Sequence, residues 1–371
     1  MQILQYSFIV LSVSGCWRPT SWFSSHKKIA YNVYSIIAVI IVHTFTFSQF
    51  MDLMINADNQ DDFSDTLYIF LTMLVSCGKM CSILLQRENI QILIDSLNEE
   101  PFAPMNNDEI NTRRRFNKIA LNTIRYVSLV EFTSWFTVLL SFFVNFGKRE
   151  LTFRAWLPYN YNSVFLFPIT FLHQGAAFIL GSLLHVGCDC LICGLMVHVC
   201  GQIRVLCNRL ENIKDDGNRS LKLCTRHHDC IYRLVRYLYA TKLNKDFRGV
   251  IFLQFSVSTL VVCFSLYQVA KAKSVDWKLL QLLSYMLCML TQIFFYCWYG
   301  NEIKIKVCSG RLYSSFWTTL NDNAKKMLLM IMKRATFPIE FTSAAIVSLN
   351  LDSYVNLLKT SYSVYNMLQQ V

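Results

Sequence analysis

The chain has 371 residues, 54% of them hydrophobic and only 16% charged, with a formal net charge of +11. Soluble domains carry about 25% charged residues, so this balance excludes an ordinary water-soluble fold and makes lipid the natural solvent. Glycine and proline are scarce at 12 and 6, and there is no internal repeat or Ser/Gly-rich boundary, so one embedded domain over 1–371 is expected.

In chain order, residues 3–13 form an apolar run too short to span a bilayer and not preceded by a basic region. A retained interfacial helix is expected there, with a signal peptide cleaved near 14–16 as the alternative. Seven runs of about 20 apolar residues follow, the length a helix needs to cross the hydrocarbon layer: 29–51, 67–85, 121–146, 163–187, 249–270, 279–300 and 341–366. The fourth pattern continues past Asp189 to about Gln202, so that helix is expected to project beyond the bilayer. The expected fold is an all-α integral membrane protein with seven transmembrane helices. Its parts are an amino-terminal segment (1–28), helices one to four (29–202), a basic connection (203–248) and helices five to seven (249–371).

The connections differ sharply in charge. The segment before the first span and those after the second, fourth and sixth hold about 26 Lys and Arg, against about six (Lys148, Arg149, Arg154, Lys271, Lys273, Lys278) in the opposite set. Cationic connections stay in the cytoplasm, which predicts a cytoplasmic amino terminus and an extracellular carboxyl terminus. The basic excess is therefore read as topology, with no nucleic-acid partner. The connection after the first span, with Asp52, Asp58, Asp61, Asp62 and Asp65 and no Lys or Arg, agrees. It is either simply solvated or a means of concentrating cations near an entrance.

Most of the 14 cysteines sit inside apolar runs and read as small packing residues. Cys188, Cys190 and Cys193 lack a completing zinc pattern. His227 and His228, flanked by Cys224 and Cys230, read as part of a cytoplasmic helix with Ile231, Leu234, Val235 and Leu238 on one face, suited to a subunit contact. No cofactor, metal or enzymatic constellation is expected. Lys79, Arg125, Glu131, Asp189 and Lys359 are costly within or near the spans and need partners or snorkelling. A Glu131–Lys79 pair is the expectation, while Lys359 either pairs locally or lines a wide vestibule.

Four local patterns then occur in order. They are Gly15, Cys16, Trp17, Arg18 and Pro19; the run from Leu151, Thr152 and Phe153 through Arg154, Ala155 and Trp156 to Leu157 and Pro158; Tyr296, Cys297, Trp298, Tyr299, Gly300, Asn301 and Glu302; and Leu358, Lys359, Thr360, Ser361, Tyr362 and Ser363. Gln174, Asp189, His198, Gln202 and Leu206 follow the second at fitting distances. Together they resemble the insect odorant receptor family over nearly the whole chain. The length, and the lack of a large insertion between 203 and 248, make the chain similar to an odour-specific tuning subunit rather than the longer shared co-receptor.

That resemblance implies a subunit of a ligand-gated, non-selective cation channel in the plasma membrane of a sensory neuron. It also implies assembly as a heterotetramer with co-receptor subunits around a pore lined by the last helix. The ligand would be a small apolar volatile, bound in the outer half of the bundle. Candidate ligand contacts are Phe70, Met73, Leu74, Trp135, Phe136, Leu139, Phe167, Phe171, Gln174, Phe178 and Tyr285, an aromatic set with one amide to orient the ligand. Candidate pore-lining residues are Lys359, Tyr362, Tyr365, Asn366 and Gln369. The family's gate is an apolar ring, yet Tyr365 and Gln369 stand at the corresponding positions, and a Gln ring opposes closure by dewetting. Independently of the resemblance, the last span is polar for a lipid-facing helix, which favours contact with protein or water. The alternatives are a G-protein-coupled chemoreceptor, disfavoured by the charge pattern and the lack of Asp-Arg-Tyr and Asn-Pro-x-x-Tyr, or a gustatory-type channel. A transporter is disfavoured because the two halves show no repeat.

Overall fold

The computed structural model describes residues 2–19, 21–22, 24–55, 60–161, 163–211, 217–239, 245–271, 277–308, 322–335, 342–343 and 347–369. Its elements are α1 (Gln2–Val13), α2 (Ser25–Ile55), α3 (Gln60–Ser96), α4 (Asn107–Lys148), α5 (Leu166–Glu211), α6 (Gly217–Tyr239), α7 (Lys245–Lys271), α8 (Trp277–Cys308), α9 (Asp322–Ala335), β1 (Thr342–Ser343), β2 (Val347–Ser348) and α10 (Leu351–Gln369). The protein is an all-helical membrane bundle in which α2, α3, α4, α5, α7, α8 and α10 are the seven spanning helices. The first six are long and apolar enough to cross a membrane, and α10 is the shorter, more polar seventh.

Lipid explains the outward faces. Ile29, Ile36 and Ile40 of α2 and Leu129, Phe132, Phe136 and Phe143 of α4 are all exposed large apolar side chains. Such a surface is costly in water and neutral against acyl chains, while each helix satisfies its own backbone hydrogen bonds. The centre is α5, which packs against α4, α1, α8, α6, α2 and α3. Its 46 residues reach about 69 Å at the α-helical rise, more than twice the ~30 Å hydrocarbon layer. The helix therefore projects well past any single membrane core, in line with the apolar pattern beyond Asp189.

Helix α1 docks on this pole. Leu4 and Leu11 are buried, seated where α5 has Gly194 and Gly187; a Cβ there would come within 2.8 Å of each leucine. The Gly-Cys-Trp pattern ends the helix. Gly15 takes a positive φ of 83°, which lets the Cys16 and Trp17 amides turn back to the Leu11 carbonyl at 2.9 and 3.0 Å. Trp17 then packs on Phe8 with ring centroids 4.6 Å apart.

The last helix starts later than its apolar run suggests. The described part of the expected span from 341 opens with two short strands, Thr342 paired to Ser348 and Ser343 to Val347 in antiparallel register, and α10 starts at Leu351. Asn350 sets that start, its Oδ1 accepting the Ser353 amide at 2.8 Å, as an N-cap does. Helix α10 lies against α7 and α8.

Candidate functional site

Four helices, joined by Gln268 of α7, converge at the end of the bundle where α2 joins α3, α4 joins α5 and α7 joins α8. Each brings residues spaced to share one helical face: Tyr68, Thr72 and Ser76 from α3; Glu131, Trp135 and Val138 from α4; Phe178, Ser182 and His185 from α5; Gln281, Tyr285 and Gln292 from α8. Between them lies a cavity of about 70 Å³, where one water needs roughly 10–15 Å³. Its wall is apolar and aromatic with a few polar groups, the composition of a small-molecule site. Tyr68 and Tyr285 sit 5.5 Å apart, centroid to centroid, and the hydroxyls of Tyr285 and Thr72 are hydrogen-bonded. At Gly181 a Cβ would meet the tip of Met73, Cε at 2.9 Å, a side chain that can swing aside.

Behind the lining residues His185, Glu131 and Gln292 lies an ionic cluster. Lys79 donates to Asp189 Oδ1 at 2.7 Å and to His185 Nδ1 at 2.9 Å. Because an ammonium only donates, His185 is neutral with its proton on Nε2, which donates to the Thr72 carbonyl at 3.3 Å. Tyr296 donates its hydroxyl to Asp189 Oδ1 at 2.5 Å. Glu131, 2% exposed, accepts the Gln292 amide through Oε1 at 3.2 Å, and Gln254 donates in turn to Gln292 Oε1 at 3.1 Å. Lys79 thus pairs with Asp189 rather than with the expected Glu131. On α5, Asp189 follows His185 by one turn and presents to the same ammonium.

Of the residues the sequence offered as ligand contacts, Met73, Trp135, Phe178 and Tyr285 line this cavity. Phe167 and Phe171 lie beside it in a ring cluster with Phe142 and Phe146, at 5.1 to 6.1 Å between centroids. Gln174 is buried with both amide atoms on the backbone of Phe153: Oε1 accepts its N–H at 3.4 Å and Nε2 donates to its carbonyl at 2.9 Å. The Leu-Thr-Phe-Arg pattern thereby plugs the bundle with Phe153, ringed by Phe45, Phe142 and Phe178. Phe136 is 51% exposed and stacks on Phe132 on the outer face. Phe70 pairs with Phe50 at 5.8 Å; Phe70, Leu74 and Leu139 are half-buried outside the cavity lining. Thr72, Ser76, Ser134 and Gln281 also line the cavity and are not among the residues expected from the sequence. Their signal was polar residues recurring at helical spacing within apolar runs.

On α10, Leu357 and Ser361 are buried and Lys359 and Tyr362 exposed, with Tyr365 and Asn366 half-buried. Ser361 donates to the Thr259 carbonyl of α7 at 3.4 Å, which points Lys359 and Tyr362 away from the bundle. The side chain of Gln369 lies outside the described residues.

A family model described as 7tm Odorant receptor matches residues 59–362. Odorant receptor Or1 of Anopheles gambiae is 23% identical, with 98% of this chain and 94% of that protein covered. Odorant receptor 46a, isoform B, of Drosophila melanogaster is 21% identical, with 99% and 98% covered. The solved structure of the insect olfactory receptor OR5 from Machilis hrabei in complex with eugenol is 17% identical and similar in fold, with a TM-score of 0.89 over 100% of this chain and 98% of that one.

Proposed function

Because this chain belongs to the 7tm odorant receptor family, we propose that it is an odour-specific subunit of a ligand-gated cation channel, binding a small organic molecule in the α3–α4–α5–α8 cavity. The observation that carries the reading is the aromatic-walled cavity between the helices, with a few polar groups in its lining. It is the kind of site that holds a compact, mostly apolar molecule and fixes its orientation. The charge distribution supports an amino terminus in the cytoplasm, and on that orientation the proposed site lies in the outer half of the membrane and the carboxyl end of α10 outside.

Gating requires that the ligand favour the open arrangement over the closed one. The contacts of α8 supply a route: Tyr285 and Gln292 line the cavity, Tyr296 one turn further holds Asp189, and Phe294 on the same helix packs against Tyr354 of α10 at 5.6 Å. Lys359, Tyr362, Tyr365, Asn366 and Gln369 are the proposed pore face of α10. Tyr365 and Gln369 make a poor dry ring, so the gate is proposed to depend on co-receptor subunits in a heterotetramer at the plasma membrane.

The test is current on odour application in cells expressing this chain with and without co-receptor, under G-protein blockade. Current that needs the co-receptor and survives the block is expected. Trp135→Ala should reorder ligand potencies and spare unitary conductance; a changed conductance with unaltered tuning would refute the cavity assignment, and loss of current under the block would favour a coupled receptor.

A further inference from the structure

One buried side-chain oxygen of the cavity lining is unmatched, and Asp189 Oδ2 behind the lining is another. Among the described residues, Glu131 Oε2 is buried and has no hydrogen-bond partner, although Oε1 is held by Gln292 and the residue lines the cavity wall. A buried carboxylate oxygen left this way is costly unless something completes it. The nearby cation does not: Lys79 is closed against Asp189 at 2.7 Å and against His185 at 2.9 Å. His185, accepting from that ammonium, is neutral. Among the described residues Lys79 is thus taken up by Asp189 and His185, and Glu131 is held by the Gln292 amide alone.

The walls carry the same preference. Tyr68, Trp135, Phe178 and Tyr285 surround the space next to Glu131, and the negative faces of aromatic rings attract a desolvated cation. Carboxylate and rings together form an ammonium-binding arrangement. Granting the reading above that this cavity is the ligand site, we infer that its ligand class is the small amines, bound as the ammonium with Glu131 as counter-ion and the aromatic wall around the hydrocarbon part. A neutral alcohol supplies a donor to Oε2 but no charge to strengthen the bond, so it binds second best. A hydrocarbon or ether supplies no donor and leaves the carboxylate stranded.

The test is titration calorimetry on the full chain in lipid nanodiscs at neutral pH, with three probes of nearly equal shape: benzylamine, benzyl alcohol and ethylbenzene. Benzylamine is expected to bind at least about tenfold more tightly than either of the others. That preference should collapse in Glu131→Gln and persist in Glu131→Asp, which keeps the charge. Ethylbenzene or benzyl alcohol binding as tightly as benzylamine, no binding of benzylamine, or an undiminished preference in Glu131→Gln would each overturn the inference. Should Glu131→Gln fail to fold, the wild-type comparison of the three probes decides alone. Binding is read without current, so the two readings fail separately. A chain that binds benzylamine through Glu131 but passes no evoked current refutes only the channel; odour-evoked, Trp135-dependent current with no amine preference refutes only the ammonium ligand.

Discussion

Arg209 illustrates how single residues hold the end of the bundle opposite the cavity. Its guanidinium grips Glu109 through Nε and Nη2, both at 2.8 Å, and donates to the carbonyls of Pro101 and Ala103 at 2.8 and 2.9 Å. It also donates to His227 Nδ1 at 3.2 Å, so His227 must carry its proton on Nε2, which reaches Gln202 Oε1 at 3.0 Å. One cation thus ties α4, α5, α6 and the turn before α4. Because both members of the pair are buried, Arg209→Ala strands Glu109 and should cost roughly 3–5 kcal/mol, visible as a lowered melting temperature of the purified protein. Burial, and then the adjacent Arg209 charge, push the His227 imidazole down to about 3; burial and the Arg334 charge bring the neighbouring His228 to about 4. The unfolded chain takes up protons near pH 6.5, which the folded His227 refuses until about pH 3. Stability is therefore expected to fall as pH drops through that window. His227→Gln, which keeps a donor and an acceptor but cannot titrate, should flatten part of the decline in melting temperature between pH 7 and pH 4; an unchanged slope would show that His227 is charged in the fold.

At the scale of elements, close approach decides the geometry. Gly300 of α8 lies against the chain just before α10, and a Cβ on it would stand 2.2 Å from the Leu349 carbonyl oxygen. The obstacle is backbone, which cannot swing aside as a side-chain tip can. Gly300→Ala must therefore displace the start of α10 from α8. Ligand-evoked current is expected to fall at least about tenfold, with far-ultraviolet helix content retained; a normal current would show that α10 is not held by this contact. Neighbouring residues of the same pattern have equally specific duties. The Tyr299 hydroxyl is hydrogen-bonded to Thr123 of α4, and Tyr296 reaches Asp189 of α5. Helix α9 is tied to α6 by a smaller set, with Arg334 bonded to Asp229 at 2.7 Å and lying 4.6 Å over the Tyr232 ring.

For the molecule as a whole, the proposed topology sets where each end is found. An epitope fused after Val371 should be accessible on unpermeabilised cells, and one fused before Met1 only after permeabilisation. The reverse result would put the cavity in the inner half of the membrane and remove the basis for an outward-facing ligand site. The single chain leaves one side of α10 uncovered, with Val355, Leu358 and Tyr362 exposed. On the tetrameric reading this side faces other subunits and the pore.

Solvent, number of spans and family pattern were legible without coordinates, because they follow from composition, from local motifs and from apolar runs measured against a fixed hydrocarbon thickness. The sequence also marked Lys79, Glu131 and Asp189 as residues that lipid alone could not accommodate. Which of them meet was decided only by the packing of α3, α4, α5 and α8. A pairing depends on the rotation of each helix about its axis, and a span apolar nearly all round does not encode its rotation. The same limit applies to the ligand contacts. Phe136 and Trp135 are adjacent in sequence and equally aromatic, yet one residue's step around a helix sends the first to lipid and the second to the cavity. Gln174 was recognisable as an amide in need of a partner, but that the partner is the Phe153 backbone, 21 residues away, is a fact of tertiary structure alone.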